Sequence, residues 1–299
     1  MDRFQQLSVF VAVAEEEGFA AAARRLYMSP PAVTRSVAAL EDRLGVKLFN
    51  RSTRLVRLTE VGVRYLEDAR KVLSELECAD ETAAGINATP RGRLVVTAPV
   101  LFGRIYVMPG VVDYLERYPE TSVSAMFLDR VVNLLEEGID VGIRIGHLPD
   151  SSLRALPVGR VRVVLCASPA YLERHGVPKS PDDLRQHRMV ASIAGNHVLD
   201  LKFRSENGER EMQVPAALTT NTNDAATEAA LRGYGITRLI SYQVAKHLES
   251  GELRTVLDEW EPEALPVNII HREGRHEAAR IRAFVDLLAE RLRAESALQ

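Results

Sequence analysis

The sequence predicts a small, mainly α winged helix-turn-helix module at the N-terminus, then a long helix, then a larger α/β body. Three observations point there. Over roughly the first sixty positions the apolar residues recur at three- and four-residue steps, the period of a helix packed on one face. Beyond residue 93, short apolar runs alternate with helical patterns, as in layered α/β folds. The charge is also split: residues 1–59 carry nine basic and six acidic side chains, and the other 240 carry 29 and 35, within a net charge of −3. A chain of 299 residues is long enough for about two domains.

Phe4, Leu7, Phe10 or Val11, and Ala14 mark a helix over residues 4–16, which Gly18 is expected to end in a left-handed cap. Residues 20–27 are Ala, Leu and Arg, good helix formers. Ser29-Pro30 is a helix start, because a Ser oxygen caps a free N–H and Pro at the first position loses nothing. Val33, Val37, Leu40 and Leu44 line one face of the next helix, and Gly45 ends it. Two such helices joined by a Met28-Ser29 turn form a helix-turn-helix with the second as recognition helix, its outward positions including Ser29, Thr34 and Arg35. Two short β-like runs then flank Asn50-Arg51-Ser52-Thr53-Arg54, a wing whose arginines can reach phosphates or a minor groove. From residue 20 to 58 the count is eight bases against two acids, which suggests a polyanion partner such as nucleic acid, or else a solvated basic face. Thr59 caps the long helix, residues 60–87, whose stripe of Val63, Leu66, Val72, Leu76 and Ile86 points to a second helix and so to a homodimer, the alternative being a helix packed on its own domain.

Other classes find little support. The apolar stretches run to about six residues (9–14), against the roughly 18 needed to span a bilayer. No signal-peptide pattern is visible, and Cys78 and Cys166 fit neither a disulfide framework nor a zinc spacing, so a reducing cytoplasm is expected. Gly233-Tyr234-Gly235 ends a helix rather than opening one. There is no Walker loop, nucleophile elbow or His-Glu-x-x-His. His271 and His276 lack a further plausible metal ligand. No enzyme, metal or cofactor is predicted, and Cys166 reads as a buried, inert thiol.

The residues also carry a resemblance. Phe19-Ala20-Ala21-Ala22-Ala23-Arg24-Arg25-Leu26, Ser29-Pro30-Pro31-Ala32-Val33-Thr34-Arg35, Leu40-Glu41, Leu44 to Arg51 and Leu58-Thr59-Glu60-Val61-Gly62 resemble the DNA-binding head of LysR-type transcriptional regulators. Asp129-Arg130-Val131-Val132, Glu136 to Gly146 and Cys166 to Leu172 resemble the effector domain of the same family. The resemblance implies a two-lobed, periplasmic-binding-protein-like effector-binding domain over 88–299, with lobe one at 93–165 and 266–299 and lobe two at 166–265. It further implies a homodimer assembling as a tetramer, an interrupted palindromic DNA site, and a small-molecule effector between the lobes. Activation and repression are not distinguished. Two departures stand out. Pro30 occupies a place where many members have Gln, which removes a donor, and Glu60-Val61 replaces a frequent Pro-Ala. Ser29, Pro30, Thr34, Arg35, Arg51 and Arg54 form the expected DNA-binding set. Arg35 has two readings, bidentate to guanine or bound to phosphate.

In the body, strands are expected at 94–98, 122–128, 141–145, 161–166, 199–205, 210–214, 217–220, 236–240 and 267–271. Asn207-Gly208 is a hairpin signal. Helices are expected at 102–118, 131–137, 224–231 and 276–295, with a hinge at 87–92 and parallel sheets. Ligands of such sheets sit outside the strand carboxyl ends. The effector candidates are therefore Pro99, Val100, Leu101 and Phe102 after the first strand, Asp129 after the second, and Arg144 and His147 after the third. Lobe two adds Ser192, Asn196 and His197, then Asn221, Thr222 and Asn223. Arg144 suits an effector carboxylate, or else an ion pair with an acid such as Asp129.

Overall fold

The computed structural model describes residues 2–51, 56–84, 89–134, 136–148, 153–192, 198–205, 208–272 and 278–299. The head holds α1 (Arg3–Glu15), α2 (Phe19–Arg25), α3 (Pro30–Leu44) and an antiparallel pair, β1 (Phe49–Arg51) and β2 (Val56–Leu58). Phe10, Val13, Val33, Val37, Leu40 and Leu48 are fully buried at its centre. Each such side chain contributes about 1.5–3 kcal/mol. Phe10 lies 5.3 Å from the Phe49 ring and 5.4 Å from Tyr65. Gly18 is not the left-handed residue after α1. It is extended (φ −171°) as the N-cap of α2, and Glu17 takes the positive φ, +49°. Gly45 does end α3 in the left-handed region, at φ +69°.

The long helix α4 (Glu60–Ala84) extends about 37 Å at 1.5 Å per residue. Thr59 caps it, its Oγ1 accepting from Gly62 N at 2.9 Å. Its apolar positions divide. Leu66 and Ala69 complete the head core, while Val61, Val63 and Val72 stay exposed. Ile86 lies outside the described residues.

The body contains two sheets. The first is built from β3 (Gly92–Ala98), β4 (Thr121–Phe127), β5 (Val141–Ile145), β6 (Leu153–Val161) and β13 (Leu265–Arg272), in the order β4-β3-β5-β13-β6. α5 (Val100–Phe102) runs through a π-helical turn, Gly103–Val107, into α6 (Met108–Arg117). α6 and α10 (Ala279–Ala294) cover one face, where Tyr114 and Phe284 meet edge to face at 5.3 Å. The expected helix over 131–137 is absent. Its described residues form turns around Gly138 (φ +64°), which bury Val132, Leu134 and Ile139 on the other face of the sheet. Two adjacent β-branched valines and an Asn that bonds locally to the Glu136 N–H are poor helix formers.

The second sheet is β12-β7-β11-β8-β10-β9, made of β7 (Val163–Ala167), β8 (Met189–Ser192), β9 (Val198–Ser205), β10 (Gly208–Thr220), β11 (Ile236–Ile240) and β12 (Arg254–Val256). It packs with α7 (Pro169–His175), α8 (Asn223–Leu231) and α9 (Ser241–Glu249). Neither sheet is all-parallel, contrary to expectation. β13 runs antiparallel to both β5 and β6, and β7 antiparallel to β11 and β12. The strand expected at 161–166 is split at Arg162, and β7 lies wholly in the second sheet. The first crossing between lobes is therefore at Arg162, not 165. Its N–H donates to Ser241 Oγ (3.1 Å) and its carbonyl accepts from Ser241 N (2.8 Å), which ends the ladder. β10 is one strand where two were expected. It pairs with β9 and then, past an irregularity at residues 216–218, with β8.

Candidate functional site

The N-terminus of α3 is built by its capping residues. Ser29 Oγ accepts from Ala32 N at 3.4 Å, and Thr34 Oγ1 donates to the Pro30 carbonyl at 3.0 Å. With Pro30 unable to donate, three of the four DNA-binding candidates expected on this helix (Ser29, Pro30 and Thr34) are committed to the helix itself or carry no donor. Arg35 is exposed and forms no ion pair with another described residue, and the same holds for Arg24 one helix earlier. Arg25 is different: Glu15 and Glu16 hold it at 2.9 and 3.3 Å. Arg51 begins the wing, but its side chain and Arg54 lie outside the described residues.

One carboxylate sets the angle between recognition helix and wing. Glu41 of α3 is 1 % exposed. Its Oε1 accepts from Leu48 N (2.9 Å) and Phe49 N (3.2 Å), and Oε2 accepts from Lys47 Nζ (3.1 Å). Burial works against ionisation, but the Leu48 amide, the Lys47 ammonium and the Phe49 amide together hold the carboxyl below its usual range.

In the body, β3, β4 and β5 are parallel and end on one edge, while β8, β10 and β11 end together on an edge of the second sheet. After β3, Val100 N donates to Asp129 Oδ1 at 2.9 Å, so the first loop and Asp129 are brought together as expected. Val100 is exposed, and Pro99 and Leu101 are partly so. Phe102 is fully buried and backs the loop instead of lining it. Gly103 is required here, because a Cβ would overlap the Phe127 ring at the end of β4. Arg144 is not paired with Asp129. Its Nη1 donates to the Ile143 carbonyl, its Nη2 is buried without a partner among the described residues, and burial pushes its guanidinium down, the charge of Glu137 acting the other way. Glu137 is itself held bidentately by Arg130 at 2.8 and 2.6 Å. His147 is exposed beyond β5.

From lobe two, Ser192 ends β8, and Asn221 and Thr222 are exposed after β10. Thr222, rather than Asp224, caps α8, accepting from Ala225 N at 3.3 Å. Asn223 is the first residue of that helix, and Asn196 and His197 lie outside the described residues. Sequence reasoning missed Tyr242, because α9 was not expected. Tyr242 follows β11 of the second sheet yet packs into lobe one, 5.3 Å from Phe102 and 5.9 Å from Tyr106. Burial pushes its phenol up to about 12. The two strand-end edges thus meet across one aromatic cluster. The two crossing segments are also tied, by Arg162 and Glu261 at 3.0 Å.

Comparison with known proteins agrees with both halves. Residues 4–63 match the bacterial regulatory helix-turn-helix domain of the lysR family, and residues 87–293 match the LysR substrate binding domain. The chain belongs to the LysR family of transcriptional regulators. It is 33% identical to the HTH-type regulator YhjC of Escherichia coli, over 97% of both chains. It is 34% identical to a transcriptional repressor of Pseudomonas aeruginosa, over 97% of this chain and 92% of that one. Among solved structures it resembles CrgA, a LysR-type regulator of Neisseria meningitidis (TM-score 0.61, 31% identity, 96% and 98% covered). It also resembles full-length AphB, a virulence activator of Vibrio cholerae (TM-score 0.61, 26%, 97% and 99% covered). LysR-type regulators bind DNA through the helix-turn-helix head and small molecules through the two-lobed domain. These similar proteins include both a repressor and an activator. Among the described residues no helix is long and apolar enough to cross a membrane.

Cys166 stands in the second sheet, fully buried, and burial pushes its thiol up to about 12. A thiol that far from ionisation is a poor nucleophile. In a Cys78→Ser protein at pH 8, a disulfide reagent is expected to leave the native chain unmodified and to react fully only in denaturant. Rapid native labelling would show that the sheet opens around this site.

Proposed function

We propose that this LysR-type regulator is a cytoplasmic homodimer, paired into a tetramer, that reads an interrupted palindrome in double-stranded DNA and answers to a small-molecule effector held between its lobes. In this reading residues 1–59 are the DNA-binding head, 60–87 the dimerisation helix and 88–299 the effector-binding domain. The observation that carries it is the uncommitted guanidinium of Arg35 on the exposed face of α3, with Ser29, Pro30 and Thr34 beside it. Arg35 reads a guanine edge in the major groove, and Arg51 and Arg54 of the wing bind phosphate or the minor groove. Val61, Val63 and Val72 on α4 support a helix–helix dimer. The effector sits against Pro99, Val100, Leu101, Asp129, His147, Ser192, Asn221, Thr222 and Asn223, over the floor made by Phe102 and Tyr242, with Arg144 available to an anionic group.

Footprinting on the DNA flanking its own gene tests the reading, with a protected interrupted dyad expected. Arg35→Ala is expected to lose about 1–3 kcal/mol of discrimination at one base pair. Arg51→Ala is expected to weaken all sequences alike and to reduce the salt slope by about one. Equal, sequence-blind losses for both would remove Arg35 from base readout.

A further inference from the structure

Glu15, the last residue of α1, is the meeting point of three arginines from three parts of the chain. Its Oε2 accepts from Arg25 of α2 at 2.9 Å, and its Oε1 accepts from Arg70 of α4 at 3.2 and 2.8 Å and from Arg93 of β3 at 3.0 Å. A carboxylate at a helix C-terminus is disfavoured by the helix dipole, and these cations offset that. Although burial opposes ionisation, the Arg25 and Arg70 hydrogen bonds keep the carboxyl below its usual range. The Arg25 contact ties α1 to α2 within the head, and the Arg70 contact fixes the head to its own linker helix. The third joins the head to the body. Beside it the two parts are separated by a cavity of about 580 Å³, walled by Val11, Leu26 and Leu73 on one side and Val95, Met126 and Ile139 on the other. Among the described residues beside this gap, the Glu15–Arg93 ion pair reaches from the head to the body.

Arg93 is anchored in lobe one. Its carbonyl accepts from Arg280 Nε at 3.1 Å, Arg280 is 1 % exposed, and the Arg280 carbonyl accepts from Tyr114 Oη at 3.0 Å. Arg93 is the second residue of the strand whose other end, at Ala98, opens the Pro99–Val100 loop. Seven residues of β3 span about 20 Å, so one rod has the effector cleft at one end and the head at the other.

We propose that Glu15–Arg93 is a latch that holds the head against lobe one, and that movement of lobe one on effector binding reaches the head through it. The latch itself stands on the contacts above, and only its regulatory consequence rests on the effector reading of the cleft. Because Arg25 and Arg70 still satisfy Glu15, Arg93→Gln frees the head without unfolding it.

The test measures head-to-body distances in the full-length protein. Spin labels are placed by Arg43→Cys and Glu120→Cys in a Cys78→Ser background, with labelled subunits diluted into unlabelled partners. Arg93→Gln is expected to raise the population at other distances by about fivefold, the equivalent of about 1 kcal/mol for a partly screened pair. Arg93→Lys keeps the charge and is expected to restore the wild-type distribution. Superimposable wild-type and Gln distributions overturn the latch, whatever the protein does with DNA. Footprints on its own flanking DNA then address transmission. Altered spacing of the protected half-sites in Arg93→Gln supports it. A spacing equal to the wild type, with the distances changed, overturns transmission and leaves the latch as a static tie. A wild-type protein that protects nothing is a failure of the DNA reading alone.

Discussion

Glu41→Ala is expected to destabilise the head by about 3–4 kcal/mol, because it strips the acceptor from two buried amides and leaves a void. Leu48 N and Phe49 N both donate to Oε1, so the two N–H groups lose their partner together. Glu41→Gln retains an oxygen at that place and loses the charge beside Lys47, so its cost is expected to be nearer about 1 kcal/mol. Amide exchange at Leu48 and Phe49 in the full-length protein measures both. Near-equal protection in the Ala and Gln variants would refute the role given to Oε1. The pH dependence follows in sign. A carboxyl whose folded pKa is lowered binds fewer protons folded than unfolded. Its contribution is complete above the unfolded value of about 4.3 and is lost as the pH falls through the lower folded value. The head is therefore expected to weaken on acidification below about pH 4, and Glu41→Gln to flatten that dependence.

Gly62→Ala carries the other large effect. A Cβ at this position would overlap the carbonyl oxygen of Leu48. That carbonyl cannot retreat freely, because it accepts from Thr59 N at 2.9 Å while Thr59 Oγ1 accepts from Gly62 N at 2.9 Å. Overpacking commonly costs about 1–3 kcal/mol, and against backbone the upper end applies. Strain is relieved by swinging α4 off the wing, so the expected result is a lower melting temperature together with a changed spacing of protected half-sites. Asp68→Ala, at an exposed polar position of the same helix, is the control, expected within about 0.5 kcal/mol of wild type. A Gly62→Ala protein with wild-type melting and spacing would mean that α4 does not set the separation of the heads.

The head was readable because its signals are local. The Ser29 cap, the Leu40 stripe and the Gly45 stop each act within a few residues. Glu17 escaped because Gly18 is the obvious left-handed residue, and only the α2 N-cap geometry shows it is needed elsewhere. The body was readable element by element but not in its pairing. An antiparallel β13 between β5 and β6 depends on residues more than a hundred positions apart. The break at Arg162 depends on a serine 79 positions away. The aromatic floor of the cleft was missed for the same reason: Tyr242 belongs by sequence to lobe two and by packing to lobe one. Phe102, apolar at a strand end, satisfies the rule for a cleft residue and is nevertheless drawn into the core.

The position of β13 has a consequence for synthesis. It hydrogen-bonds both β5 and β6, yet it begins at Leu265, after every strand of the second sheet has left the ribosome. A growing chain can close the head first and lobe two next, while β5 and β6 wait with open edges for a strand not yet made. Lobe one, although it starts earlier, is finished last, and its exposed edges are the stretch most open to wrong pairing in that interval. Loss of residues 265–299 would therefore spare the nearer-complete lobe two and undo the lobe whose first strand begins at Gly92.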